Sequence, residues 1–219
     1  MKKIFLTNKE ELTEFFATEK EGLKLIEKYE KNIDFFDDLL EKGSVDDILL
    51  VVSIKIHKYA DPLITNGCYT KAFKALEGVE NDLEKVREDS EWYEFYAEKA
   101  VFLKAVCLGR LRKYRESNQY FEELIKKNPE NDGYLDWYKS NNKNQMGNVA
   151  NGIAIAGLAI YLLSIAINIV SISDFQIPKA IELSALSITI LALTTSYIWG
   201  KIIDKQRAKI KEKTNTAKG

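Results

Sequence analysis

Val149-Ala-Asn-Gly-Ile-Ala-Ile-Ala-Gly-Leu-Ala-Ile-Tyr-Leu-Leu-Ser-Ile-Ala-Ile-Asn-Ile-Val-Ser-Ile172 is the stretch that decides how this chain is read. No charged residue occurs anywhere from Asn144 to Ser173. A second run follows from Leu183 to Gly200, also without Lys, Arg, Asp, Glu or His. A helix needs roughly 20 mostly apolar residues to cross a hydrocarbon core of about 30 Å. Buried helices of soluble proteins have shorter apolar runs, about 10 to 14 residues, so both segments read as membrane spans. The link Ser173-Asp-Phe-Gln-Ile-Pro-Lys179 is too short for a domain, so the spans, about 149–172 and 181–200, are expected to form an antiparallel hairpin within 144–203.

Charge on either side gives an orientation. The tail, 204–219 with Lys201 just ahead of it, holds Lys205, Arg207, Lys209, Lys211, Lys213 and Lys218 against Asp204 and Glu212. In the hinge, only Lys179 is basic, while Asp174 and Glu182 are acidic, and Lys139 and Lys143 precede the first span. Basic residues stay on the cytoplasmic side, so both termini are expected in the cytoplasm. The opening Met1-Lys-Lys-Ile-Phe-Leu-Thr-Asn-Lys-Glu meets charge too early to serve as an export signal. Richness in Lys, Ile, Asn and Glu suits an AT-rich bacterial genome, hence a bacterial inner membrane, with an organelle membrane as the alternative.

The formal net charge of -1 conceals a split. Residues 144–219 carry eight basic and four acidic side chains, which leaves 24 basic and 29 acidic in 1–143. An acidic folded half argues against nucleic acid as a partner. The basic tail suits an anionic lipid leaflet.

Residues 1–143 are enough for one domain. Apolar positions recur at the three-and-four spacing of helix faces. Stripes run from Lys9 to Tyr29, Ile33 to Gly43, Asp46 to Ile64, Tyr69 to Val86, Ser90 to Leu111 and Arg115 to Lys127. Gly43, Gly67, Asn128-Pro129 and Asp132-Gly133 punctuate them as helix stops. Gly133-Tyr-Leu-Asp-Trp-Tyr138 is expected to open a closing helix. The fold class is all-α.

Two of these stretches align. Asn66-Gly67-Cys68-Tyr69-Thr70-Lys71-Ala72 matches Leu111-Arg112-Lys113-Tyr114-Arg115-Glu116-Ser117, a turn followed by Tyr and then a small residue. Leu76 and Val79 continue the first copy; Phe121, Leu124, Ile125 and Pro129 continue the second. The pattern resembles the tetratricopeptide repeat, whose two helices per unit of about 34 residues stack into a superhelix. The copies would span about 53–86 and 98–131, with 9–42 supplying a divergent helix pair. Departures are Glu84 in place of the closing Pro, Pro62 inside a first helix, which should kink or shorten it, Arg112 in place of Gly and Ser117 in place of Ala. The resemblance implies a concave peptide-binding face lined by Ile54, His57, Asp61, Ile64 and Thr65, then Lys99, Phe102, Val106, Gly109 and Arg110.

Catalytic chemistry is not expected. No Gly-rich phosphate loop or metal-ligand spacing is present, and His57 is the one histidine. No cofactor is implied. Cys68 and Cys107 match no metal site and would stay reduced in a cytosol. The aromatic run Trp92-Tyr93, Phe95-Tyr96 is expected to pack the core. Small and polar residues recur along the spans, Gly157, Tyr161, Ser164, Asn168 and Ser171 in the first and Ser184, Ser187, Thr194 and Thr195 in the second. Such stripes let helices approach in lipid, either within the hairpin or between copies. A membrane-anchored adaptor recruiting a cytoplasmic protein is the expected function. The alternative is a two-span effector whose hairpins oligomerise and perturb the bilayer.

Overall fold

Ten α-helices and one π-helical turn account for the described chain in the computed structural model, which describes residues 9–86, 92–170 and 178–217. No strand occurs among the described residues, so the protein is all-α. The elements are α1 (Lys9–Thr18), α2 (Gly22–Lys31), α3 (Ile33–Lys42), α4 (Val45–Ile54), the π turn (Lys55–Ala60), α5 (Asp61–Thr65), α6 (Tyr69–Glu84), α7 (Tyr93–Arg110), α8 (Tyr114–Lys127), α9 (Asp132–Val170) and α10 (Lys179–Ala217). They form two compact units, residues 1–137 and 138–219.

In the first unit, 9–42 folds as three ten-residue helices rather than one pair. The apolar stripe from Lys9 to Tyr29 is broken at Glu19, whose Oε1 accepts the N–H groups of Lys20 at 2.9 Å and Glu21 at 2.8 Å. These two bonds hold the link ahead of α2 and keep the Glu19 carboxyl below the usual carboxylate range. Ser44 caps α4 reciprocally: its Oγ accepts from the Asp47 N–H, and Asp47 Oδ2 accepts from the Ser44 N–H at 2.9 Å.

Pro62 does not end the third helical stripe. Backbone in the right-handed region runs through Ile54, Lys55, Ala60 and Asp61, by way of the π turn. Proline lacks an N–H and its ring collides with the carbonyl four residues back. Widening the turn before it relieves that collision, and the Asp61 N–H bonds to the Ile56 carbonyl.

The turns 66–68 and 111–113 are the same motif built 45 residues apart. Gly67 sits at φ 78 and Arg112 at φ 63. The Cys68 N–H reaches the Leu63 carbonyl at 2.8 Å, and the Lys113 N–H reaches Leu108 at 2.9 Å. Gly67 also bonds Ile64, as Arg112 bonds Gly109. This is the Schellman pattern, in which a left-handed residue lets the chain satisfy the last helix carbonyls. Buried positions match at the same offset: Ala60 with Ala105, Leu63 with Leu108, Ala72 with Ser117, Leu76 with Phe121, and Val79 with Leu124. Small residues at 72 and 117 permit close helix approach, and the Ser117 Oγ donates to the Ala105 carbonyl at 2.7 Å. Replacing Gly67 with Ala is expected to cost about 1–2 kcal/mol, because only glycine holds the left-handed region without strain. Arg112→Gly should not destabilise, and paired urea melts check both.

The core of this unit joins the stack Phe36–Tyr29–Tyr59, with ring centroids 4.5 and 4.1 Å apart, to Leu63, Leu76, Leu83 and Cys107. Two ion pairs cross it. Lys55 Nζ lies 2.9 Å from Asp82 Oδ2 and links the π turn to α6. Lys104, 4% exposed, bridges α7 to Glu80 at 3.0 and 3.1 Å. The aromatic run behaves differently from expectation. Tyr93 and Tyr96 pack against the core, but Trp92 and Phe95 are 52% and 53% exposed. Their positions at the first turn of α7 fall on the outer face, and they pack on each other instead, centroids 6.0 Å apart.

In the second unit, α9 carries the first apolar run and α10 the second, and both are long and apolar enough to cross a membrane. The closing helix expected at 133–138 and the first span are one continuous helix, since no proline interrupts Asp132–Val170. The side chains of the apolar segments are largely exposed, among them Ile155, Leu163, Ile169, Leu183 and Leu191. A core helix of a soluble protein would bury them.

Candidate functional site

An open cleft of about 630 Å³ lies between the α1–α2 link and the π turn with α5. The link contributes Glu19, Lys20 and Glu21, α2 begins at Gly22 on the same wall, and the opposite wall contributes His57, Asp61 and Thr65. The two walls approach closely at Gly22, where a Cβ would make ordinary contacts with Asn66 Nδ2 at 3.4 Å and Pro62 Cβ at 3.5 Å.

His57 and Lys58 of the π turn and Asp61, Pro62 and Thr65 of α5 line one opening, at the four-residue spacing of a helix face. His57 Nδ1 lies 3.7 Å from Asp61 Oδ2, and the His57 ring meets Tyr96 of α7 at 6.4 Å between centroids. Thr65 Oγ1 donates to the Asp61 carbonyl at 3.0 Å, and Asn66 Nδ2 donates to the Pro62 carbonyl at 2.8 Å. The cleft therefore offers three carboxylates, an imidazole, two ammonium groups and an amide beside the apolar Leu23, Leu25 and Pro62. Such a mixture can hold a polypeptide segment through both its backbone and an apolar anchor.

The sequence-based groove residues divide among three environments. His57, Asp61 and Thr65 line the cleft. Ile54 and Val106 are buried at 4% and 6% exposure, Gly109 is buried, and Ile64 is half-buried against the core. Phe102 is held between Phe121 and Tyr134, with centroids at 6.2 and 5.5 Å. Lys99 Nζ lies over the Phe102 ring, and the Arg110 guanidinium stands 5.3 Å over Trp137. The second set therefore packs against α8 and the start of α9, and it does not share an opening with His57. Glu19, Lys20, Gly22, Lys58 and Asn66 escaped sequence reasoning. The first three lie far from the repeat-like stretch, and Lys58 adjoins His57 on the π turn.

The hairpin stripe also divides. Along α9, Ala150, Ala154, Gly157 and Ser164 are buried at intervals of three, four and seven, as one helix face requires. A Cβ on Gly157 would collide with Thr189 Oγ1 and stand 3.1 Å from the Ala185 carbonyl of α10. Ser164 Oγ donates to Tyr161 at 2.8 Å, and Asn168 Nδ2 donates to Glu182 Oε1 at 2.5 Å. On α10 the buried positions are Ala185 and Thr189. Ser184, Ser187 and Thr194 are exposed, with Ser184 and Thr194 hydroxyls bonded to the Ala180 and Ile190 carbonyls of their own helix. Ser171 lies outside the described residues. The two thiols differ as well: Cys68 is exposed, while burial pushes the Cys107 thiol up to about 12.

The chain matches no protein-family model, no curated protein and no solved structure at a significant level.

Proposed function

We propose that this protein is a membrane-anchored interaction module, in which a tetratricopeptide-like helical unit in the cytoplasm recruits a protein partner through the cleft around His57, Asp61 and Thr65. The observation that carries the reading is the pairing of the two helix hairpins, α5–α6 and α7–α8. They share one turn motif and five matched buried positions at a constant offset of 45 residues. Stacked hairpins of this kind leave inter-helix recesses suited to peptide segments. The anchor is the α9–α10 hairpin, inserted with both termini cytoplasmic and the hinge outside, in line with the basic tail.

A second reading makes the hairpins assemble with one another to perturb the bilayer. It is favoured by the exposed hydroxyl face of α10 at Ser184, Ser187 and Thr194, nearly opposite the Ala185–Thr189 contact. One experiment separates the two. Full-length protein purified in detergent from cross-linked cells should retain one cytoplasmic protein, and Asp61→Lys should release it while leaving membrane association intact. Retention unchanged by Asp61→Lys, together with dye leakage from reconstituted vesicles, would replace the adaptor reading by the effector reading.

A further inference from the structure

Helix α10 does not stop where its apolar residues stop. It runs unbroken from Lys179 to Ala217, about 58 Å at about 1.5 Å per residue. The apolar part, Leu183–Gly200, accounts for about 27 Å of that, close to the hydrocarbon thickness of about 30 Å. About 25 Å of helix continues beyond it, bearing Lys201, Lys205, Arg207, Lys209, Lys211 and Lys213 against Asp204 and Glu212. At the boundary stand Tyr197 and Trp199, both exposed, with Lys201 Nζ over the Tyr197 ring at 5.7 Å. Tyr and Trp at that depth mark the headgroup level of a span. At the other end of α10, Lys179 and Glu182 balance each other. Helix α9 adds Lys139 and Lys143, and no acidic residue lies between Tyr138 and Val149. The basic residues of the second unit are thus concentrated at one end, where they outnumber Asp204 and Glu212.

We propose that the helical extension 201–217 docks on the anionic phospholipid headgroups of the leaflet from which it emerges, so that the protein is retained preferentially in anionic membrane. The inference rests on the membrane-spanning reading of α9 and α10. Orienting the hairpin requires only basic residues near the span. Docking requires the distal ones too. The field of a charged surface falls off within a Debye length, about 8 Å at physiological salt. On a helix standing upright, Lys201 and Lys205 feel it, whereas Lys213 lies about 18 Å out. Gly200, a poor helix former, stands between the span and the extension and is the point at which the extension can incline to bring Lys205, Lys209 and Lys213, four residues apart on one helix face, to the surface.

The test uses the full chain in proteoliposomes of phosphatidylcholine alone or with about 30% phosphatidylglycerol. Trypsin cleavage after Lys209, Lys211 and Lys213 is followed by mass spectrometry of outward-facing molecules, and alkaline carbonate extraction is run in parallel. Cleavage in the anionic vesicles is expected to slow at least about tenfold and to recover in about 0.5 M salt. Lys209→Gln/Lys211→Gln/Lys213→Gln should abolish the lipid-dependent protection of the neighbouring Arg207 bond. Equal cleavage in both vesicles with the protein resistant to carbonate overturns the docking alone, as does undiminished protection in the triple variant. Release by carbonate overturns the spans and the docking together.

Discussion

Phe121→Ala is expected to destabilise the helical unit by about 3–5 kcal/mol, a large part of the total stability of a domain this size. Phe121 is fully buried on α8. Its ring meets Phe102 of α7 edge-on at 6.2 Å and stacks on Trp137 of α9 at 6.1 Å, so one side chain joins three helices. Truncation removes its transfer free energy and leaves a cavity that two rigid rings cannot fill by small shifts. Leu76 occupies the matching place on α6 and is equally buried, so Leu76→Ala should cost about 2–5 kcal/mol. Urea melts of the full chain in detergent, followed by circular dichroism, read both. A Phe121→Ala protein melting like the parent would show that α7, α8 and α9 do not pack as described.

Gly157→Leu should separate the two helices of the hairpin. A single Cβ at this position already collides with Thr189 and approaches the Ala185 backbone. Overpacking costs about 1–3 kcal/mol where neighbours can yield, and a helix backbone yields little. The loss extends along the seam, because separation at Gly157 also withdraws Asn168 from Glu182. Thermal denaturation in detergent should fall clearly for Gly157→Leu and hardly at all for Ser187→Leu, whose side chain is exposed. If instead Ser187→Leu is the damaging change, the outer face of α10 is the one that carries packing, as the assembly reading requires.

Several features of the fold were legible because they depend on local pattern. The three-and-four rhythm identifies the helices, and charge-free length identifies the two membrane-capable segments. The aligned turns at Gly67 and Arg112 were also visible, since Tyr and a small residue follow each of them. The first-span stripe was readable for the same reason. Gly157 and Ser164 repeat at helical spacing, and a missing side chain is itself a packing signal in lipid.

Other features depend on contacts between distant residues. Phe102 and Arg110 carry no mark in the sequence that the start of α9 will cover them; Tyr134 and Trp137 do so only once the helices are assembled. Ser184, Ser187 and Thr194 share the small, polar character of the α9 seam, yet Ala185 and Thr189 meet α9 instead. Two polar stripes on one helix are equivalent in composition, and only the register of the partner helix selects between them. Pro62 illustrates a third case. It is expected to kink or shorten the helix, and the chain instead runs on through a π turn whose Lys55 pairs with Asp82.

By itself, then, the sequence determined an all-α chain with a mildly acidic helical half, two apolar helices and a basic end. Periodicity, length and charge are properties of neighbouring residues, so no partner is needed to express them. The tertiary structure alone decided which residues share an opening. Glu19 and Gly22 reach His57 and Asp61 across more than 30 residues of chain because α2 packs on the π turn and α5. That placement follows from burial of Leu25, Tyr29 and Tyr59 in a common core, an energy spread over many contacts and encoded in no single motif.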